Sequence, residues 1–138
     1  DPLRPLRPLV DKRGAAANEL SFVAIKGPQG LAAGLQAART QGRVAMLDFY
    51  ADWCVECKYL ERDTFTDARV KSTLNNFVLM RVDVTTNDAE DQMLLKELEL
   101  YGPPAVLFFD SEGTELRAQR VLGFVGPEAF TEHLNKIP

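Results

Sequence analysis

Cysteine is nearly missing from this chain: two residues in 138, Cys54 and Cys57. So small a number excludes a scaffold held together by several disulfides. Histidine is scarcer still, with His133 alone, far along the chain in a stretch that reads as a surface helix. A structural zinc centre needs four ligands converging on one point, so no metal is expected and a metallochaperone is disfavoured. No apolar run approaches the roughly 18 residues that span a bilayer. Basic residues are not in excess either: 16 Lys and Arg against 20 Asp and Glu leave a net charge of −4, which points away from a nucleic-acid partner. No internal repeat is visible. The chain opens on Asp1 with no signal-peptide pattern, so it reads as an excised or processed piece whose membrane context, if any, lies outside it.

What is present is an ordinary globular composition, 46% hydrophobic and 26% charged, in a chain long enough for one well-packed domain. Residues 1–20, "DPLRPLRPLVDKRGAAANEL", differ from the rest. Their Pro-Leu-Arg repeat blocks helix and favours an extended run, so they read as a linker or tether, with residues 21–138 as the folded domain. A docking arm through Leu3, Leu6 and Leu9 is the sharper reading, and little supports it.

From Ser21 the elements alternate. "SFVAIK" (21–26) reads as a strand, "GPQG" as a turn and "LAAGLQAART" (31–40) as a helix closing at Gly42. The near-continuous apolar run "RVAMLDFYA" (43–51) is expected to be a strand buried on both faces. A helix should run from about Cys54 to Asp63, with Thr66 or Asp67 capping the next. "FVLMRVDV" (77–84) reads as a buried strand, followed by a helix capped at Asn87 or Asp88 with acidic residues in its first turn. "PAVLFFD" (104–110) and "TELRAQRVLGF" (114–124) read as an antiparallel hairpin, and Pro127 opens a closing helix. Strands joined by helices are expected to pair in parallel. The class is α/β, with a mixed central sheet flanked by helices.

The cysteines fall in "FYADWCVECKYLE" (49–61), just after a buried strand and at the start of a helix. Unpaired N–H groups and the helix dipole favour a thiolate there. Cys57 is one turn on, within the Cα separation of about 4.4–6.8 Å that a disulfide allows. The loop so closed is tiny and would constrain little of the unfolded chain. Either the bond serves by opening and closing, or these are two ordinary buried thiols.

"DFYADWCVECK" resembles the strand–loop–helix core of thioredoxins, and the element order from Ser21 to Ile137 is that of the thioredoxin fold. "MLDFYADWCVECKYLERDTF", "VDVTTNDAED", "LLKELELYGPPAVLFFD" and "RVLGFVGPEAF" are similar, more narrowly, to the C-terminal periplasmic domains of the DsbD thiol:disulfide interchange family. The resemblance implies a protein-disulfide reductase domain of a bacterial inner-membrane protein, tied to cytochrome c biogenesis and monomeric as an isolated domain. It would need no cofactor beyond its redox-active disulfide. It would take electrons from the membrane-embedded domain of the same protein and hand them to the N-terminal periplasmic domain, with residues 1–20 as the tether.

Carried over residue by residue, Cys54 is the exposed nucleophile and Cys57 the recessed resolving thiol. Asp48 matches the buried acid that accepts or relays the Cys57 proton; the alternative is an Asp paired with a nearby Lys. Glu61, four residues after Cys57, matches an acid that helps tune the cysteines, or is a solvated helix residue. Glu56 is expected to be merely exposed. Carboxylates nearby disfavour a second negative charge, so the Cys54 thiol is expected to be less acidic than in strongly oxidising relatives, as suits a reductant. Pro104 matches the cis proline opposite the redox pair. Residue 103 departs from the common pattern, because Pro103 has no N–H to offer a partner's backbone. Trp53, Gly123 and Phe124 complete the expected shell around the site. A free-standing thioredoxin-like reductase and a non-catalytic binding module of the same fold remain the alternatives.

Overall fold

A computed structural model of the chain describes residues 20–138. The expected linker over residues 1–20 therefore lies, but for Leu20, outside the described residues. Five strands form one mixed sheet: β1 (Val23–Ile25), β2 (Ala45–Tyr50), β3 (Val78–Asp83), β4 (Ala105–Phe109) and β5 (Val121–Leu122). Their order across the sheet is β1-β3-β2-β4-β5. The helices are α1 (Gly27–Gln41), α2 (Val55–Tyr59), α3 (Ala68–Leu74), α4 (Ala89–Glu97) and α5 (Pro127–Leu134).

The two apolar central strands, β2 and β4, are buried almost throughout, and strand alternation sends their side chains into two layers. Leu47, Phe49 and Leu107 meet Leu31 and Ala38 of α1 and Leu94 of α4 on one side, where both cysteines also pack. Met46, Val106 and Phe108 meet Val70 and Leu74 of α3 and Phe130 and Leu134 of α5 on the other. Each such large side chain contributes about 1.5–3 kcal/mol by leaving water.

Polar residues set the helix starts. Asp67 accepts hydrogen bonds from the Arg69 and Val70 N–H groups, and Asp88 accepts one from Asp91 N–H. Pro127 stands in the first turn of α5 behind an extended Gly126. Helix α1 ends where Gly42 takes φ 66°, a conformation that only glycine adopts freely.

Four expectations are corrected. "GPQG" is the first turn of α1, not a separate turn, because proline is tolerated where no N–H is needed. The redox helix does not stay α-helical to Asp63: it widens into a π-helical turn over Leu60–Thr64, closed by Phe65 N–H to the Leu60 carbonyl at 2.8 Å. The hairpin after β4 is short, a bridge between Phe109 and Glu115, a 3₁₀ turn at Arg117–Gln119 and the two residues of β5. Finally, β4 follows a helix yet runs antiparallel to β2. Nine-residue α4 spans about 13 Å at 1.5 Å per residue, short of the roughly 20 Å of a six-residue strand. The chain re-enters the sheet from the end at which β2 and β3 finish. That reversal sets Ala105, and Pro104 before it, opposite Phe49 and beside the cysteine-bearing turn.

Candidate active site

Strand β2 ends at Tyr50, and a tight turn follows in which Cys54 N–H donates to the Ala51 carbonyl at 3.0 Å. Cys54 is the N-cap of α2: its backbone is extended, and its Sγ accepts a hydrogen bond from Cys57 N–H at 3.1 Å. The two cysteines are joined as a disulfide, with their Cα atoms 5.3 Å apart. Cys57 Sγ lies 3.6 Å from the Phe49 carbonyl oxygen, an acceptor for its S–H when the pair is reduced. The expectation of an exposed Cys54 is corrected: in the closed pair Cys54 is 6% exposed and Cys57 3%. The N-cap geometry turns the Cys54 sulfur back over the first turn, and both residues join the apolar layer of Phe49 and Ala105.

Around the pair stand three segments distant in sequence. The Pro103–Pro104 bond is cis, at the expected position. Trp53 is 59% exposed, and its Nε1–H donates to the Thr85 carbonyl at 3.0 Å, while the Asp52 N–H donates to Thr85 Oγ1 at 2.9 Å. Gly123 takes φ 111° and is followed by Phe124, whose ring meets Tyr59 edge-on with centroids 6.3 Å apart. Glu56 is not merely exposed, as expected: its Oε1 accepts the Phe124 N–H at 2.8 Å, because a side chain at this helix position points toward the loop after β5.

Alongside the continuation of the redox helix lies a partly buried charge network. Asp48 and Arg81 are register partners on β2 and β3, and Arg81 Nε donates to Asp48 Oδ2 at 2.8 Å. Arg81 Nη1 pairs with Glu61 Oε2 at 2.6 Å, so one guanidinium bridges both carboxylates. Its plane is further packed over the Phe22 ring at 4.4 Å and the Tyr50 ring at 5.3 Å. Burial pushes the Asp48 carboxyl up to about 7; Arg81 holds it down only in part, and the Glu61 charge adds to the rise. The structure thus joins Asp48 to Glu61 through Arg81. Among the described residues no hydrogen bond ties either acid to a cysteine.

Sequence reasoning missed three participants. Arg81 had a signal, a lone cation inside the apolar run "FVLMRVDV" level with a lone acid inside "AMLDFYA". Thr64 is fully buried and its hydroxyl donates to the Val125 carbonyl at 2.6 Å, but a threonine gives no such sign. Thr85 is equally silent. His133 is half-buried on α5, with Nε2 2.7 Å from the Gln119 carbonyl, away from the cysteines. Among the described residues no group of three or more His, Cys, Asp or Glu side chains is gathered as a metal site.

Comparison with known proteins agrees with this geometry. The thioredoxin-like family profile matches residues 28–111. The DsbD thiol:disulfide interchange protein of Ralstonia nicotianae is 44% identical over 139 residues, 99% of this chain and 23% of that protein. Its counterpart in Yersinia enterocolitica is 44% identical over 137 residues, 98% of this chain and 24% of that protein. The chain therefore spans about a quarter of the length of the curated relatives it matches. Among solved structures, the oxidised C-terminal domain of Neisseria meningitidis DsbD superposes with a TM-score of 0.70 at 34% identity, covering 86% of this chain and all of that one. A Thermus thermophilus thioredoxin, at 23% identity and a TM-score of 0.67 over 85% of this chain and 87% of its own, shares the fold.

Proposed function

The chain belongs to the thioredoxin-like family and, within it, to the DsbD thiol:disulfide interchange proteins, and from that premise we propose that it is a dithiol–disulfide relay. The observation that carries this reading is the Cys54–Cys57 disulfide at the N-cap of a helix, beside the cis Pro103–Pro104 bond. In the reduced domain the Cys54 thiolate attacks one sulfur of a partner disulfide. A Cys54–partner bond forms, and the partner's other sulfur leaves as a thiolate and takes up a proton. Cys57 then gives up its proton and attacks Cys54 Sγ. The Cys54–Cys57 bond forms, and the second partner sulfur leaves and is protonated. Two electrons pass to the partner, whose two protons come one from Cys57 and one from solvent.

Local geometry supports the division of labour. Cys54 sits where helix N–H groups favour an anion, as the bond from Cys57 N–H illustrates. Cys57 faces the Phe49 carbonyl, which favours its protonated form until the mixed disulfide brings a sulfur within reach. Asp48, with its proton affinity near neutrality, is suited to buffer the proton that Cys57 loses. Glu61 acts on Asp48 through Arg81. Trp53, Pro103, Pro104, Gly123 and Phe124 form the shell a partner meets. Pro103 offers a partner only its carbonyl.

By resemblance to its family, the domain works in the periplasm as part of a bacterial inner-membrane protein. The electron donor is the membrane-embedded domain, the acceptor the N-terminal periplasmic domain, and residues 1–20 the tether. A trapping experiment tests the reading. Cys57→Ala, reduced and mixed with an oxidised acceptor domain, should accumulate a mixed disulfide through Cys54, visible by non-reducing electrophoresis and mass spectrometry. A variant that captures no acceptor defeats the relay.

A further inference from the structure

One of the two residues between the cysteines reaches across 68 positions of sequence to hold a backbone amide, Glu56 Oε1 accepting Phe124 N–H at 2.8 Å. The held segment borders the site on two sides. Leu122 pairs with Ala105, next after Pro104, and the Phe124 ring rests edge-on against Tyr59, one helical turn beyond Glu56. Gly123 between them takes φ 111°, and a Cβ built there would lie 3.6 Å from Glu56 Oε1, so the carboxylate fits against this backbone in ordinary contact. A second tie, Thr64 Oγ1–H to the Val125 carbonyl at 2.6 Å, fastens the same segment to the far end of the redox helix. The two ties differ in kind. Thr64 is fully buried and fixed by the core. Glu56 is exposed, so its bond stands in competition with water.

We infer that Glu56 is a positioning residue for protein partners: its carboxylate sets the Gly123–Phe124 backbone against the redox helix, fixing one wall of the approach to Cys54. The inference rests on the exchange reading of Cys54 and Cys57 given above. A protein disulfide approaching Cys54 meets the Gly123–Phe124 wall, which Leu122 and Ala105 join to the Pro104 side of the site, and a wall free to drift weakens binding before any sulfur reacts. A small disulfide needs no such wall. The role belongs to the acceptor oxygen rather than to the charge, so glutamine at position 56 suffices and alanine does not.

The test compares wild type, Glu56→Ala and Glu56→Gln in single-turnover exchange. The oxidants are the oxidised N-terminal domain of the Ralstonia nicotianae protein and, separately, glutathione disulfide. Glu56→Ala should raise the half-saturating concentration of the protein partner about five- to tenfold, as loss of one ordinary exposed hydrogen bond implies, and leave the limiting rate within about twofold. Glu56→Gln should stay within about twofold of wild type in both, and all three should reduce glutathione disulfide alike. Amide hydrogen exchange at Phe124 should quicken about tenfold in Glu56→Ala and little in Glu56→Gln. Equal behaviour of the two variants with the protein partner would mean that charge acts, and would overturn the inference. So would a matching loss with glutathione disulfide, or Glu56→Ala indistinguishable from wild type. A wild-type domain that reduces neither disulfide would instead defeat the exchange reading itself.

Discussion

Replacing Asp48 by asparagine should make the oxidised domain more stable, and more so the higher the pH. The carboxyl is buried on the central strand, and its proton affinity is raised from 3.8 to about 7 despite the Arg81 contact. A raised carboxyl means that between those two values the folded chain holds a proton the unfolded chain has lost. Stability therefore falls as pH rises through that window and levels off above about 7. At about 1.4 kcal/mol per tenfold change in affinity, keeping the ionised group buried costs at most about 4 kcal/mol at pH 8. Asparagine occupies the same space, accepts from Arg81 through its amide oxygen and never ionises. Part of the gain is lost with the ionic half of the Arg81 contact, which leaves a net of about 2 kcal/mol at pH 8 and close to none at pH 4. Urea unfolding of both proteins at pH 4, 6 and 8 measures this. With slopes of about 1–3 kcal/mol per molar, the midpoint of Asp48→Asn should exceed that of wild type by about 1 M at pH 8. Taking the difference between the two proteins cancels every other titrating group. An Asp48→Asn advantage that does not change between pH 4 and pH 8 would refute the reasoning, because Arg81 would then offset the burial of the acid in full.

Arg81→Met should act with the opposite sign. It strips the cation that bridges two carboxylates, and denaturant melts should show a loss of about 3 kcal/mol at pH 8 that shrinks at pH 4 as Asp48 takes up its proton. In an Asp48→Asn background the same change should cost clearly less, which a double-mutant cycle reads directly. Thr64→Val removes a buried hydroxyl donor and leaves the Val125 carbonyl unanswered. Its expected loss is about 1–2 kcal/mol in thermal or urea unfolding, with little dependence on pH.

Much of the frame could be read from the sequence, because apolar runs are direct records of burial. β2, β3 and β4 stand within "RVAMLDFYA", "FVLMRVDV" and "PAVLFFD", and Asp67, Asp88 and Pro127, each among the expected candidates, mark helix starts as side-chain chemistry requires. The cysteine pair was legible from its spacing, and the cis Pro104 from the resemblance to thioredoxins. What escaped depends on contacts between distant segments. The direction of β4 is not written in the residues within β4, whose apolar run suits either pairing. The shortness of β5 and the widened turn at Leu60–Thr64 reflect how the chain fits against α5 and Val125. Arg81 could have been inferred from Asp48, since two opposite charges in neighbouring apolar strands seek each other. The Glu56 contact could not, because no local pattern links position 56 to the amide of residue 124.

The strand that leads into Cys54 is the middle one of five, zipped to a neighbour along both of its edges. The sulfur chemistry is thereby mounted on the stiffest beam of the molecule, while everything free to adjust sits on short connections around its tip. For the exchange proposed above, such a mounting would leave adjustment to those connections and spare the frame. A carrier that must run equally well while being charged and discharged needs that indifference, since any large reshaping would favour one direction and stall the other.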